Sequence, residues 1–443
     1  MSAVDNTLDY IDQASFLGLR ALGHGPVIQF TWIYERDVDL DGLRRFQRNL
    51  GQGLLGRRIE RSPLPFGRHR WISWPGPLDV AVAPTARPRS DLTAWTDEQA
   101  ALPIDPEHGP SWRLAVQSFT NGATAVTLVV SHTVADGVGI AVSVTEAAMG
   151  ETRNLGYPAG SSRTKRQALL NDSRAATRAL PEMARGLKAA VRLARTNGTP
   201  APPGTPQPVG AAEDLSEVVT PPSVTAYLDG LEWDERAERL GGTSNSLFLG
   251  LVARLSKRLD WVEKDGTVTL SVPVSERTEG DTRGNALTAV RLTADPAEVT
   301  GDLRGVRAAL KAALTTLGEE RNQLMGPLPL TPVVPRAVAR RLESMVVGGS
   351  LVGSSNLGLL NPAANRPDGT DADYFAVRMT ERIDRAHLRR NGGVFFPVVA
   401  ARLAGRISIN VGCTNADGST TAEQLLDTVR GALGDYGLSG LVE

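Results

Sequence analysis

Apolar residues recur at two spacings along the chain, and these spacings predict which segments form helices and which form strands. From Asp9 to Leu22 and from Asp39 to Leu50, apolar positions lie three or four residues apart, which is typical of amphipathic helices. Val27 to Tyr34 and Thr124 to Val130 are short runs rich in β-branched and aromatic residues, which favours strands. We therefore expect strands and helices to alternate in the first part of the chain.

The same alternation continues after residue 222. Runs typical of strands cover Ser223 to Leu228, Thr267 to Val274, Ala286 to Thr293 and Arg406 to Cys413. Helical spacing covers Leu231 to Leu240, Ser244 to Arg258, Val299 to Leu317 and Thr421 to Leu433. Because strands alternate with helices in both halves, the pattern predicts two α/β domains of similar size.

Between the two halves, the pattern changes to a basic helix followed by a stretch rich in Pro and Gly. Arg174 to Arg195 is rich in Ala and Arg, with one apolar helical stripe formed by Leu180, Met183, Leu187 and Val191. Pro181 lies inside this segment and predicts either a kink or the start of the helix. Thr199 to Asp214 is dense in Pro and Gly, which indicates a linker. The predicted domains are therefore residues 1–198 and 223–443, with a linker at 199–222.

The composition is that of an ordinary globular protein. Of the 443 residues, 41% are hydrophobic and 22% are charged, which is enough for a buried core. The 48 Lys and Arg residues nearly balance the 49 Asp and Glu residues, which argues against a nucleic-acid binder. A single cysteine, Cys413, excludes an internal disulfide framework. Because the N-terminus lacks a signal-peptide pattern and no apolar run approaches about 20 residues, we expect a soluble, cytoplasmic protein.

The segment from Thr127 to Gly139, TLVVSHTVADGVG, carries the strongest indication of chemistry. A predicted buried strand leads directly into His132, and Asp136 and Gly137 follow four and five residues later. An imidazole at such a strand-to-loop turn can point into a cleft and transfer protons near neutral pH. Gly137 permits backbone angles that a side chain would forbid. Taken alone, the segment is equally compatible with a hydrogen-bonded structural histidine.

This segment resembles the HHxxxDG or HxxxD motif of acyltransferases with the chloramphenicol acetyltransferase-like fold. His132, Asp136 and Gly137 match the second His, the Asp and the Gly of that motif. The superfamily includes bacterial wax ester synthase/diacylglycerol acyltransferases, mycobacterial polyketide-associated acyltransferases, plant BAHD enzymes and peptide-synthetase condensation domains.

Further segments in the right order resemble the wax ester synthase branch, so that the resemblance spans nearly the whole chain. These segments are Leu8–Phe16, Leu55–Arg58, Pro110–Arg113, Val272–Ser275 with Arg277, Gly284-Asn285, Ser355–Gly358 and Leu403–Gly418. For Gly284-Asn285, an ordinary tight turn and a role at the substrate are equally plausible.

Two departures from the family pattern concern the substrate. Ser131 stands where most relatives carry the first His, although the second His is the catalytic one in these relatives. The loop at Ser355-Asn356 lacks the proline-rich continuation that is typical of the neutral-lipid enzymes. A specialised-metabolite substrate is therefore as plausible as a neutral-lipid one.

The resemblance implies an architecture and a mechanism. It implies two chloramphenicol acetyltransferase-like α/β domains, with mixed sheets, flanking helices and an active-site channel at the domain interface. His132 would be the general base that activates an acceptor hydroxyl for direct attack on an acyl thioester. Asp136 would support the motif loop by pairing with Arg277. Ser355, Asn356 and the backbone amide after Asp136 are candidates for orienting the substrate or stabilising the oxyanion.

The same resemblance also implies which molecules the protein binds. The acyl donor would be a CoA or carrier-protein thioester, bound as a substrate, so we expect no resident cofactor. Two alternatives remain. The first is an amide-forming, condensation-type enzyme with an amine acceptor, and the second is a non-catalytic protein that binds acyl groups or a carrier protein. No HExxH, Walker or GxSxG motif and no metal-ligand spacing is present, so we expect no metal.

The basic segment from Arg163 to Arg195 allows several partners. It could bind the phosphates of CoA, an acidic carrier protein or an anionic membrane surface, and peripheral membrane contact is therefore left open. A solvated, charged helix face is the commoner explanation for such a segment.

Overall fold

The computed structural model describes residues 4–196, 217–334, 352–390, 393–415 and 419–443. The Pro- and Gly-rich stretch from Thr199 to Asp214 lies outside these ranges. Of the predicted linker's last residues, Val218–Val219 form a short strand that pairs with Ile383–Asp384. The boundaries of the two domains therefore stay a prediction.

Strands and helices alternate along the described chain. The helices of the first half are α1 (Tyr10–Leu22), α2 (Leu40–Gly51), α3 (Leu92–Ala101), α4 (Gly137–Met149) and α5 (Lys165–Thr196). Its strands are β1 (Val27–Tyr34), β2 (Arg57–Glu60), β3 (Arg70–Ser73), β4 (Ala81–Val82), β5 (Trp112–Ser118) and β6 (Thr124–Ser131). A short 3₁₀ turn covers Arg89–Asp91.

The second half adds helices α6 (Gly230–Arg239), α7 (Ser244–Arg258), α8 (Arg304–Met325), α9 (Arg385–Arg390) and α10 (Ala422–Asp435). Strands β7 to β10 are Val218–Val219, Ser223–Asp229, Val268–Ser275 and Leu287–Ala294, and β11 to β14 are Val352–Leu359, Tyr374–Thr380, Ile383–Asp384 and Val394–Phe395. Strands β15 to β18 are Pro397–Leu403, Arg406–Gly412, Thr414–Asn415 and Gly440–Val442. The 3₁₀ turns here are Leu328–Val333 and Pro362–Asn365.

Two large mixed sheets form the framework. The first has the order β12-β1-β6-β5-β4, and the second has the order β10-β9-β11-β15-β16-β8-β18. Strand β1 is buried along its whole length, because helices α2 and α4 cover one face of the sheet and α3 covers the other. In the second sheet, α7, α8 and α10 pack against β9, β10 and β8. The prediction of mixed sheets with flanking helices is thus confirmed.

One strand crosses between the halves. Strand β12 comes from the second half of the chain, but it pairs with β1 of the first sheet from Val27↔Thr380 to Ile33↔Tyr374. Its Arg378 is buried and donates to Gln29 Oε1 at 2.7 Å. The first sheet is therefore complete only when both halves are folded.

Local capping signals explain why several predicted elements agree closely with the structure. Strand β1 and helix α7 match their predicted bounds, and Asp9 and Asp39 cap α1 and α2 with side chains that accept from backbone amides. The predicted start of α8 at Val299 is wrong. The helix begins at Arg304, whose backbone amide donates to Asp302 at 2.8 Å.

Helix α5 is longer than its pattern predicts. It begins at Lys165 and continues through Pro181, so the alternative that Pro181 starts the helix is wrong. A proline in a helix removes one backbone hydrogen bond, and here its ring lies on the solvent side. The predicted apolar stripe is also largely exposed, with Leu180 and Leu187 each 57% accessible.

We expect an ionic contact of His24, in the turn between α1 and β1, to make folding stability depend on pH. The hydrogen bond between its Nδ1 and Glu381, 2.8 Å long, raises the pKa of His24 above its usual 6.5. This contribution is fully present below pH 6.5 and is lost as the pH rises through the raised pKa. His24→Gln should therefore lower the free energy of unfolding more at about pH 5.5 than at about pH 8.5, in urea titrations of both proteins. An equal loss at both pH values would show that the contact carries no charge.

Candidate active site

The loop that carries the motif lies at the end of the central strand of the first sheet. Strand β6 ends at Ser131, and the backbone amide of His132 donates to the carbonyl of Pro26 at 3.1 Å. Helix α4 then begins at Gly137, capped by Asp136, whose Oδ1 accepts from the amide of Gly139 at 2.6 Å. Ser131 and Asp136 are buried, whereas His132 is only half-buried. The motif therefore places its histidine side chain at the edge of the core.

The carboxylate of Asp136 fixes the motif loop to the second half of the chain. Its Oδ2 accepts from Arg277 Nη2 at 2.9 Å and from the backbone amide of Ala286 at 2.7 Å. Arg277 also donates to the carbonyls of Arg283 and Gly284, at 3.1 and 3.0 Å. The side chains of the pair are only 4% and 5% exposed. The structure thus brings together the two residues that the resemblance pairs, and the carboxylate faces the second half of the chain.

The ring of His132 is oriented by Asn285. The distance from His132 Nδ1 to Asn285 Oδ1 is 3.0 Å, and Asn285 Nδ2 lies 3.1 Å from Asp12 Oδ1. Because a carboxylate only accepts, Asp12 fixes which end of the Asn285 amide faces the imidazole. The amide oxygen is also only an acceptor, so Nδ1 of His132 carries the proton. In the neutral ring the lone pair is then on Nε2, and no hydrogen bond within the described ranges engages this atom.

Asp12 is the buried anchor of this arrangement. Besides the side chain of Asn285, it accepts from the backbone amides of Gly284 at 2.8 Å and Asn285 at 2.7 Å. Burial raises the pKa of Asp12 to about 6, against the opposing effects of Arg57 and of these hydrogen bonds. Asp12 is thus mostly ionised at neutral pH, which the orientation of Asn285 requires.

Two glycines allow the halves to approach closely at this point. A Cβ atom on Gly284 would lie 2.8 Å from Asp12 Oδ1 and 3.0 Å from the carbonyl oxygen of Val134. A Cβ atom on Gly137 would lie 2.8 Å from Cδ2 of Leu357. A larger residue at position 284 would push the second half away from the motif loop, whereas at position 137 the side chain of Leu357 would have to move.

The two substrate-orienting candidates lie on β11, next to the motif loop. Leu357, which contacts Gly137, directly follows Ser355 and Asn356. The amide of Asn356 donates to Asn245 Oδ1 at 3.2 Å and accepts from the amide of Gly358 at 2.9 Å. No hydrogen bond in the described part of the chain joins Ser355 or Asn356 to His132. The structure brings this segment close to the motif, with the Asn356 side chain bonded inside its own half.

Sequence reasoning did not identify Asp12 or assign Asn285 to the imidazole. The only signals were that Asp12 lies in the opening segment that resembles the family and that Asn285 follows a glycine in a predicted tight loop. Both residues are far from His132 along the chain, 153 positions in the case of Asn285. Their role in orienting the imidazole follows only from the distances between His132, Asn285 and Asp12 in the folded chain.

In the part of the chain that the structure describes, neither a metal site nor a reactive thiol offers a second catalytic site. Among the described residues, no group of three or more His, Cys, Asp or Glu could hold a metal ion. Burial raises the pKa of the Cys413 thiol to about 12, so it is a poor nucleophile. None of the helices within the described ranges is both long and apolar enough to span a bilayer.

Breaking the Asp136–Arg277 pair should destabilise the protein. Asp136→Ala leaves a buried guanidinium uncompensated and removes the cap of α4, so we expect a loss of about 3–5 kcal/mol in the free energy of unfolding, measured by urea titration. Asp371→Ala, at the exposed pair with Arg366, is the matched control and should stay close to wild type. Native stability of the Asp136→Ala variant would contradict this account.

Removing Asn285 should reduce turnover more than stability. Asn285→Ala frees the imidazole to rotate and to take the other tautomer, so we expect kcat to fall by about 10²-fold. Asn285→Asp presents a carboxylate to Nδ1 but also to Asp12, and should restore only part of the activity. A kcat near that of wild type in Asn285→Ala would show that the ring needs no such support.

Comparisons with known proteins locate this geometry in a known fold. No family model matches the chain, and no curated protein matches it in sequence. Among solved structures, the first condensation domain of the CDA synthetase has a TM-score of 0.58 at 15% identity, covering 100% of both chains. The wax ester synthase/diacylglycerol acyltransferase from Marinobacter aquaeolei VT8 has a TM-score of 0.56 at 11% identity, covering 97% of this chain and 98% of that one.

A third similar structure contains a ligand. A variant of the starter condensation domain of rhizomide synthetase in complex with C8-CoA has a TM-score of 0.54 at 14% identity, covering 97% of this chain and 93% of that one. These similarities extend over essentially the full length of the chains. This chain therefore has the two-lobed, chloramphenicol acetyltransferase-like fold of condensation domains and wax ester synthases.

Proposed function

We propose that this chain is an acyltransferase that forms an ester from an acyl thioester and an acceptor alcohol, with His132 as the general base. One observation carries the proposal: the half-buried imidazole of His132 lies where the two halves meet, with Nδ1 hydrogen-bonded to Asn285 and Nε2 without a hydrogen bond to any described residue. A base held in this way can accept a proton without first having to reorient.

The proposed reaction needs one base and no acyl-enzyme. Nε2 of His132 removes the proton of the acceptor hydroxyl while the acceptor oxygen attacks the thioester carbonyl. The tetrahedral intermediate collapses with cleavage of the C–S bond, and the thiolate takes the proton from the imidazolium. The hydrogen bond from Nδ1–H to Asn285 stabilises the imidazolium in between. The thioester is a substrate, so the proposal includes no resident cofactor.

The remaining candidate residues either hold the motif loop in place or stabilise the oxyanion in this proposal. Asp136 and Arg277 hold the motif loop against the second half and do not touch the substrate. Ser355, Asn356 and the backbone amide of Gly137 are the candidates for the oxyanion, since β11 contacts the start of α4. The side chain of Asn356 would have to exchange its bond to Asn245 for the substrate, which favours Ser355 and the backbone amide.

Amide formation is the second candidate, because condensation domains are among the similar structures. The proposed base serves an amine acceptor as well as an alcohol. Offering the purified protein one acyl-CoA with matched alcohol and amine acceptors of equal chain length separates the two. We expect a higher kcat/KM for the alcohol, and a higher value for the amine would replace the ester proposal.

His132→Ala should remove most of the acyl transfer. Loss of a positioned general base lowers kcat by roughly 10²–10⁴-fold. His108→Ala is the matched control, because the His108 side chain is exposed and pairs with the neighbouring acids Asp105 and Glu107, and it should keep wild-type turnover. Release of free thiol in the presence of the acceptor measures both. If the wild type has no turnover that depends on His132, the non-catalytic alternative applies.

A further inference from the structure

A small polar pocket lies where the crossing strand β12 meets the second sheet. Residues of α3, β1 and β12 line one side of it, and residues of β8 and β16 line the other. Its volume is about 40 Å³, which is the space of about three water molecules. The polar side chains that line it include Gln29, Thr31, Thr93, Thr225, Arg378 and Asn410. Both halves of the chain therefore contribute to this pocket.

Strand β1 is buried on both faces, but its two faces differ in polarity. Ile28, Phe30 and Trp32 pack in the apolar core that also contains residues of α2 and α4. Gln29 and Thr31 are just as buried, and they line the pocket. The facing wall contributes further polar side chains from β8 and β16. Because buried polar groups need hydrogen-bond partners, two polar walls favour a polar occupant.

Arg378 supplies a donor that the protein leaves unused. It lines the pocket and is only 7% exposed. Its Nε donates to Gln29 Oε1 at 2.7 Å. Its Nη1 donates to Asp97 Oδ1 at 2.6 Å and to Ser223 Oγ at 2.8 Å. Nη2 is buried, and no described residue accepts from it. Since an unsatisfied buried donor is destabilising, an acceptor beside this guanidinium is favoured.

The acids next to the pocket each pair with an arginine. Asp97 pairs with Arg378, and Glu443, which lines the pocket, lies with its Oε2 3.1 Å from Arg89 Nη2. The first residues of α3 also line the pocket, and Asp91, at the start of this helix, forms no capping hydrogen bond. The positive end of the helix dipole therefore lies at the pocket. This arrangement favours an anionic acceptor.

The pocket is separate from the proposed active site. Val377 of β12 belongs to the same apolar core as Val134 of the motif loop. Ala376 and Arg378, the residues on either side of Val377, line the pocket. Because successive side chains of a strand point to opposite faces, the first sheet lies between the pocket and the motif loop.

We propose that this pocket binds a small carboxylate, about the size of acetate, between the two halves of the chain. One carboxylate oxygen accepts from the guanidinium of Arg378, and the hydroxyls of Thr93 and Thr225 are available to the other. Hydrogen bonds between a guanidinium and a carboxylate are roughly twice as strong as those between neutral groups. The bound carboxylate joins β12 and β8 of the second half to α3 of the first. The site involves neither His132 nor the proposed reaction.

Binding of acetate to the full-length protein, compared with its uncharged isostere acetamide, tests this site. Saturation-transfer NMR of the two methyl groups at fixed ionic strength measures both affinities. We expect acetate to bind at least about tenfold more tightly than acetamide. Arg378→Gln and Thr93→Leu, which extends an apolar side chain into the pocket, should each weaken acetate about tenfold or more. Arg291→Gln, at an exposed arginine of β10, is the matched control and should bind acetate like the wild type.

Each outcome either supports or overturns the proposal. Equal affinities for acetate and acetamide, or wild-type affinity in Thr93→Leu, would overturn it. Failure of the wild type to bind acetate would show that the pocket holds only water. Loss of binding in His132→Ala would locate the carboxylate in the proposed active site instead. Circular dichroism checks that the variants are folded, and if Arg378→Gln is not, Thr93→Leu decides alone, because it leaves the hydrogen bonds of Arg378 in place.

Discussion

The hydrogen bond between His132 and Asn285 joins the two halves of the chain at the one imidazole that the motif supplies. It is held by a buried carboxylate, Asp12, which accepts from the side chain and backbone of Asn285 and from the backbone of Gly284. Because the carboxylate cannot donate, the amide of Asn285 has one orientation and the imidazole has one tautomer. The orientation of the imidazole depends on this chain of contacts, which exists only when α1, the motif loop and the loop before β10 are in place.

A second set of contacts holds the same loop from the other side. Asp136 binds Arg277 and the amide of Ala286, so the segment from residue 277 to 286 is fixed to the start of α4 as well as to α1. The two buried carboxylates thus have different effects. Asp136 maintains the distance between the halves, and Asp12 orients the base through Asn285. Glycines at 137 and 284 leave the space that this close approach requires. The crossing strand β12 adds a third connection between the halves at the far edge of the first sheet.

What could be predicted from the sequence was local, or came from the motif. Strand β1 and helix α7 follow from short-range patterning and capping, and their bounds agree with the structure. The pairing of Asp136 with Arg277 came from the resemblance, since 141 positions separate the two residues. The placement of β12 could not be predicted, because it is decided by pairing across roughly 350 residues rather than by its own pattern. The full length of α5 was missed because most of its first ten residues are polar and Pro181 marks a boundary in most helices. Asp12 and Asn285 resemble ordinary polar residues until their distances are known.

Nitrogen-15 NMR of the histidine side chains at neutral pH, with His132 assigned by comparison with the His132→Ala variant, tests the central claim most directly. Protonated and unprotonated ring nitrogens differ strongly in chemical shift, so the tautomer is observed without any substrate. We expect the neutral form of the His132 ring to carry its proton on Nδ1 and to leave Nε2 bare. A proton on Nε2 would contradict it, because the imidazole would then have no lone pair directed away from Asn285 and could not serve as the base.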